Sequence, residues 1–417
     1  MSLRITILTP YYPPEMGAPP ARLHEIAVRL KQFGHDVTVV TAFPNRPVGR
    51  IYEGYSGKFR DCSEEDGVRV IRTWIKPSAS SASFSSRTIN DLSFTWSSGW
   101  TTCSLLGKQD VLIVQNPPLF SALSAAHIAH KTGAKIVMWC GDIWPDVLLQ
   151  SGQMNPGVMA TLMRKMQQYA FKSSSLLAVT NPKIANDTQK SYECPPVTVW
   201  SNGVDTCVFN PNQRSEKVRE ALGVEEHDLL VGYVGLHGRF QGLDAILDAA
   251  EILKNRGDIR FVFVGAGVEK DRLMERSERS KLKNVRFLDP KPKSEMPSLV
   301  ASCDVSVVSL LGRMPGTMPS KFYEAVASGS IPLTAKGCEA ASLVKKYTAG
   351  VLYEPGDGQS AANALLHVRD LDKSDVEKMR LNCRELSMRF DRDKLAAFVN
   401  STLEALMAGE ALPPVDW

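Results

Sequence analysis

Residues 317–335 read TMPSKFYEAVASGSIPLTA, a helix-length segment between the apolar runs DVSVVSL and IPLTA. Pro319 and Ser320 suit a helix start, and Gly329-Ser330 suits a stop. Lys321 and Glu324 stand three apart, so they share one face of the first turn. A cation there opposes the helix dipole, which already favours negative charge by roughly 0.3–1 kcal/mol. A bound phosphate would reverse that sign, and a carboxylate one turn on suits a sugar diol. An ordinary exposed Lys–Glu pair fits the spacing equally well.

Around this stretch, short β-branched runs alternate with helical patterns along almost the whole chain. RITILTP, HDVTVVT, VRVIRTW, DVLIVQN, AKIVMWC, SLLAVT and VTVW come first; LLVGYVG, IRFVFVGAG, VRFLD, DVSVVSL, IPLTA and GVLYE follow. Continuous apolar strands are buried on both faces, so each series predicts a doubly wound, mostly parallel α/β sheet with helices on both sides. The fold class is therefore α/β, with two Rossmann-like domains. The polar stretch SNGVDTCVFNPNQRSEK predicts the linker. Domains are expected at 1–212 and 213–393, with a C-terminal helix in 394–417 that packs back on the N-terminal domain.

The chain's 417 residues suit two cores, and 43% hydrophobic with 23% charged residues are globular values. Up to residue 212 there are 20 Lys+Arg against 15 Asp+Glu, and beyond it 29 against 30. A surplus of +5 in the first part fits weak attraction to an anionic membrane or a phosphorylated substrate and is too small for nucleic acid. Eight scattered cysteines without a CxxC pair predict neither a disulfide framework nor a zinc site, and a reducing cytosol follows. No signal peptide or spanning helix is read from the sequence. The Ser-rich stretch 76–88, followed by Phe94, Trp96 and Trp100, is read as a connector leading into core aromatics, with a lipid- or acceptor-contacting surface as the alternative. VGAGVEK lacks the third glycine of a dinucleotide fingerprint and reads as a plain strand turn. His127 and His130, three apart on one helix, have no second ligand cluster and read as packed.

The segment PSKFYEAVASGSIPL resembles the donor-binding signature of glycosyltransferase family 4, the retaining GT-B enzymes, in the bacterial surface-polysaccharide and O-antigen branch. Four further pieces match in order: the N-terminal PYYPPEMGAPPARLHEIAVRL onward, GDIWPDVLLQSG at 141–152, SNGVDTCVF at 201–209 and GYVGLHGRFQGLDAILDA at 232–249. The resemblance implies two Rossmann-like domains facing across a cleft, nucleotide sugar on the C-terminal one and acceptor on the N-terminal one. Carried onto this sequence, it assigns ribose to Glu324, diphosphate to Lys321 at the Gly316, Pro319 and Ser320 helix start, and the base to Asp289, Pro290 and Lys291. Gly17 would admit the phosphates closely. Glu15, Trp144 and Asp146 would lie on the substrate side, and Asp142 would be a polar or basic contributor to catalysis.

Three departures qualify the resemblance. Gly316 stands where the family's earlier glutamate is expected. Leu236 and Gln241 replace the usual Arg and Lys of the phosphate clamp, leaving His237, Arg239 and Lys321 to neutralise the diphosphate. Gly141 replaces the frequent histidine before Asp142. Without a DxD pair the chemistry is expected to need no metal or other cofactor. Without an evident nucleophile it is expected to proceed by front-face displacement, the departing phosphate stabilised by cations and oriented amides. The expected partners are a UDP-linked sugar, an N-acetylated or deoxy amino hexose that is transferred, and a glycan or polyprenyl-diphosphate-linked acceptor. The expected location is cytoplasmic, at the inner membrane's cytoplasmic face, with peripheral membrane contact through the basic N-terminal domain. A sugar-nucleotide 2-epimerase of the same fold and a non-catalytic partner subunit are the alternatives.

Overall fold

A computed structural model of the chain describes residues 1–79, 83–150, 152, 154–314, 316–415 and 417. Residues 80–82 of the Ser-rich stretch, 151 of the piece at 141–152, and 315 before the Ser320 helix lie outside the described residues. Two compact units emerge, one of Met1–Asn202 with Arg392–Trp417, the other of Gly203–Asp391.

The first unit holds strands β1 (Arg4–Leu8), β2 (Asp36–Ala42), β3 (Arg60–Glu65), β4 (Val68–Thr73), β5 (Val111–Asn116), β6 (Lys135–Cys140), β7 (Leu176–Val179) and β8 (Val197–Val199). Their order is β3-β4-β2-β1-β5-β6-β7-β8, parallel except for β3 against β4. Alternate residues of each strand feed opposite cores, which is why the runs are continuously apolar. Ile5, Ile7, Val37, Val39 and Trp139 pack beneath helices Ala18–Gln32 and Arg392–Ala408. Leu8, Val40, Leu112, Met138 and Val179 pack beneath helices Phe84–Thr101, Ser121–Thr132 and Val158–Lys172.

The second unit holds β9 (Leu229–Val234), β10 (Ile259–Val264), β11 (Val285–Leu288), β12 (Val305–Val308), β13 (Ile331–Ala335) and β14 (Val351–Tyr353). All are parallel, in the order β11-β10-β9-β12-β13-β14. Among the described residues no helix is long and apolar enough to cross a membrane.

Two expectations change. The edge strand β3, RDCSEE, has no apolar run because only one of its sides is covered. The boundary falls at 202/203, not at 212, because the expected linker is fastened to the second unit. Thr206 Oγ1 donates to Asp391 Oδ2 at 2.5 Å, and Arg384 donates to the carbonyls of Phe209 and Thr206 at 3.2 and 3.1 Å.

The amino ends of β9 and β12 are tied by a buried hub. Arg219, 1% exposed, donates to Asp304 Oδ2 at 2.9 Å and to the carbonyls of Ser302, Glu225 and Asp228. Asp304 Oδ2 also accepts from the Leu230 N–H at 2.9 Å. Arg214 and Arg380 hold the other carboxylate oxygen of Asp304 at 3.1 and 2.9 Å, so removing Arg219 leaves that charge paired but strips buried carbonyls of their donor. Arg219→Met should therefore lower the unfolding free energy by about 1–3 kcal/mol, read from urea melts, whereas a loss under 1 kcal/mol would show that the hub contributes little.

Candidate functional site

In an open parallel sheet, ligands gather at the carboxyl ends of the strands where the winding direction reverses. In the second unit that point lies between β9 and β12, which pair only at Val305–Val231 and Ser306–Gly232 and then part. The Ser320–Ala327 helix follows β12 at this edge, with Pro319 as its N-cap and no side-chain cap. Among the described residues the N–H groups of Ser320 and Lys321 have no hydrogen-bond partner, as at any bare helix N-terminus. Phe322, Tyr323, Ala325 and Val326 anchor the helix in the core, and the Tyr323 ring meets Phe390 edge-on at 5.0 Å.

Lys321 does not form the ordinary exposed pair that spacing alone allowed. Its Nζ lies 5.1 Å from the Tyr233 ring centroid and against Gly235, at the end of β9. A Cβ on Gly235 would fall 2.4 Å from Lys321 Cε and 2.7 Å from Nζ, so a side chain there would push the amine aside. Burial lowers the Lys321 pKa, and the nearby Glu324 opposes that shift. A desolvated amine thus sits beside bare amide donors, and both favour an anion.

The neighbouring loops close around this amine. Gly265 and Gly267, in the expected strand turn, lie where a Cβ would come within 2.0 Å of the Gly235 oxygen and 2.3 Å of the His237 oxygen. His237 is wholly buried among Tyr233, Phe263 and Phe287, its ring centroid 5.5 Å from that of Tyr233. Burial, reinforced by Lys270 and Lys321, pushes its pKa down to about 4. At that value the imidazole is neutral at pH 7. Arg239 is on the surface, its side chain 79% exposed and 3.6 Å from Glu269. Asp289 accepts from Lys270 Nζ at 2.7 Å and Lys291 pairs with Glu295 at 3.6 Å, both in the segment beyond β11 that also holds Pro290. Gly316 is buried in the tight turn entering the helix, with φ of 81°.

In the first unit the winding reverses between β1 and β5. Gly17 caps the Ala18–Gln32 helix with φ of 140°. Arg22, one turn in and 4% exposed, donates to Gln115 Oε1 at 2.7 Å and to Asn202, and stacks over Trp139 at 4.2 Å. Asp142 follows β6; burial raises its carboxyl pKa while Arg22 pulls it back. Among the described residues its oxygens accept no hydrogen bond. Both amide atoms of the buried Asn116, whose carbonyl holds the Gly141 N–H at 3.0 Å, are likewise without partners. Trp144 is half-buried in the same loop.

Two residues expected on the substrate side are held by partners within the chain. Glu15 is 5% exposed, and its carboxylate accepts from the N–H groups of Asn45 and Arg46 at 2.7 and 2.9 Å, suturing two loops. Asp146 accepts from Arg164 at 2.8 Å and from the Tyr192 hydroxyl at 2.9 Å. Sequence reasoning missed Arg22, Asn116, Tyr233 and Gly235. The GYVG run carried the only hint of Gly235, since a glycine directly after a buried strand often marks a close approach. Among the described residues no three His, Cys, Asp or Glu side chains gather as a metal ligand set.

Residues 17–203 match the glycosyl transferase 4-like domain, and residues 214–385 match the glycosyl transferases group 1 family. The chain thus carries two glycosyltransferase domains, a 4-like one followed by a group 1 one. A glycosyl transferase of Escherichia coli (strain K12) assigned to colanic acid biosynthesis, WcaI, is 25% identical over 335 residues, 78% of this chain and 82% of the relative. The Pseudomonas aeruginosa glycosyltransferase WbjE is 23% identical over 274 residues, 64% of this chain and 68% of its own. The structure of Anabaena Alr3699/HepE in complex with UDP superposes with a TM-score of 0.72 at 19% identity, over 97% of this chain and all of that one. Each unit of this glycosyltransferase thus has the GT-B type of parallel sheet, with a cation enclosed at the reversal point of the second.

Gly235→Ala tests that enclosure without any ligand. The added methyl should displace the amine while the fold persists, so the Lys321 pKa, followed by side-chain NMR, should rise back towards that of an exposed lysine. An unchanged titration would mean that the glycine does not seat the amine.

Proposed function

We propose that this glycosyltransferase is a retaining enzyme that moves a sugar, an N-acetylated or deoxy amino hexose, from a UDP-sugar to a polyprenyl-diphosphate-linked glycan in bacterial surface-polysaccharide synthesis. The observation that carries the reading is the enclosed Lys321 amine at the bare N-terminus of the Ser320–Ala327 helix, with Glu324 one turn on. UDP and UDP-glucose occupy HepE, whose fold this chain shares, and the relative WcaI is assigned to colanic acid biosynthesis.

In this reading the bond between the sugar's anomeric carbon and the diphosphate breaks while a bond to the acceptor hydroxyl forms on the same face. The hydroxyl proton passes to the departing phosphate. Lys321 and the N–H groups of Ser320 and Lys321 hold the charge that develops on that phosphate, fixed in place before reaction. Glu324 accepts from the ribose hydroxyls. Asp142, its carboxyl pKa raised and its oxygens unpartnered, orients the acceptor side, and no protein nucleophile is invoked.

Lys321→Met should weaken UDP binding by about 10–100-fold, the loss of one charge-assisted hydrogen bond, measured calorimetrically. The same variant should melt no lower than the parent without ligand, because a desolvated charge has gone. Unaltered UDP affinity would overturn the assignment of this site.

With acceptor present, the product's anomeric configuration, read by NMR coupling constants, should equal the donor's, and turnover should survive excess EDTA. An inverted product would refute front-face displacement, and a rate abolished by EDTA would refute metal independence. UDP-N-acetylhexosamine incubated alone should return unchanged; its conversion to the 2-epimer would reveal an epimerase.

A further inference from the structure

The helix layer over one face of the first unit's sheet carries features that sugar transfer does not use. The Phe84–Thr101 helix turns Ile89, Leu92, Trp96 and Trp100 outward, at 47%, 42%, 56% and 74% exposure. Their spacing of three and four places them on one stripe. In the same layer, the Ser121–Thr132 helix adds exposed Leu123 and the Val158–Lys172 helix adds exposed Val158, Met159 and Leu162. The rings are held in position: Trp96 packs against Phe59 and Trp74 at 5.9 and 6.5 Å, and Trp100 stacks on His127 at 6.2 Å.

Outward charge on these three helices has one sign. The three helices contain Arg87, Lys131, Arg164, Lys165 and Lys172, and a single carboxylate, Asp91. Asp91 is buried 3.7 Å from Arg46, so none of the outward surface of these three helices is acidic; the neighbouring Pro182–Ser191 helix, packed on the same core through Ile184 and Ala185, exposes Asp187 paired with Lys183 at 2.9 Å. From adjoining segments Asp146 meets Arg164 and Glu193 meets Lys172, while Arg87, Lys131 and Lys165 have no ion-pair partner among the described residues. Helices Ala18–Gln32 and Arg392–Ala408, on the sheet's other face, mix Glu25, Asp393 and Glu404 with their cations.

We propose that this face is a docking surface for an anionic lipid bilayer, with Trp96 and Trp100 at headgroup depth and Arg87, Lys131 and Lys165 on lipid phosphates. Amphipathic rings with basic side chains beside them suit the interface between water and acyl chains, and each cation there adds to the attraction of an anionic leaflet. A second copy fits the face poorly, because two-fold pairing would set like charges against one another. The surface is consistent with a lipid-linked acceptor but holds whatever the donor nucleotide is.

The test is cosedimentation of the full chain with vesicles of pure phosphatidylcholine and of phosphatidylcholine containing about a third phosphatidylglycerol. Binding is expected to the anionic vesicles only and to fall with added salt. Both the Trp96→Ser/Trp100→Ser and the Lys131→Glu/Lys165→Glu variants should lose at least about tenfold in partitioning. Their melting temperatures and UDP affinities should match the parent, which separates this outcome from failure of the donor site. The proposal falls if the parent ignores anionic vesicles, or if both variants bind like the parent. It also falls if light scattering finds a dimer that the tryptophan variant dissolves, which would put a second copy on this face.

Discussion

A lysine amine held out of water at a helix N-terminus is unfavourable twice over, through desolvation and through the dipole. Unit two nevertheless builds several elements around that arrangement. Gly235 withholds its side chain, Tyr233 offers a ring face, and the Gly265 and Gly267 turn presses the β9 loop into place. His237, with the same amine among the causes of its lowered pKa, is buried beside Tyr233, Phe263 and Phe287. Negative charge beside the bare N–H groups would resolve the conflict.

That arrangement depends on how the sheet is fastened. Arg219 and Asp304 bind β9 and β12 at their amino ends, where the two strands pair, and beyond Ser306 and Gly232 the strands separate. Rigidity at one end and divergence at the other produce an open edge without weakening the core. The first unit repeats the geometry with the opposite polarity. There the cation, Arg22, is sunk beneath the edge in hydrogen bonds to Gln115 and Asn202, and the carboxylate of Asp142 is the group left without a donor.

The strands were legible in the sequence wherever both faces are buried, because that burial is what makes a run continuously apolar; β3 escaped because an edge strand obeys no such demand. The Lys321–Glu324 pair was legible as spacing, and its environment was not. Gly235 meets Lys321 only through the parallel pairing of β9 with β12, and no local pattern encodes a contact across that distance. The same limit explains Glu15 and Asp146. A carboxylate near a strand end looks available for a ligand until Asn45, Arg46, Arg164 and Tyr192 arrive from elsewhere in the chain to occupy it. The polar run after residue 201 misled in a related way, since its turn residues serve contacts with Arg384 and Asp391 rather than freedom.

The small positive surplus of the chain's first half takes on meaning once it is placed on surfaces. Spread evenly, it would be a weak field of little consequence at physiological salt, where screening acts within about 8 Å. Three neighbouring helices over one face of the sheet, Phe84–Thr101, Ser121–Thr132 and Val158–Lys172, instead expose no carboxylate of their own, while those over the other face alternate signs. The large exposed tryptophans stand on the first of these three helices. A solvent-exposed indole gains nothing for stability, and an unrelieved set of cations repels itself. Each feature alone is a cost to a protein surrounded by water. Together, on one face, they form an arrangement whose cost disappears against an apolar boundary that carries negative charge.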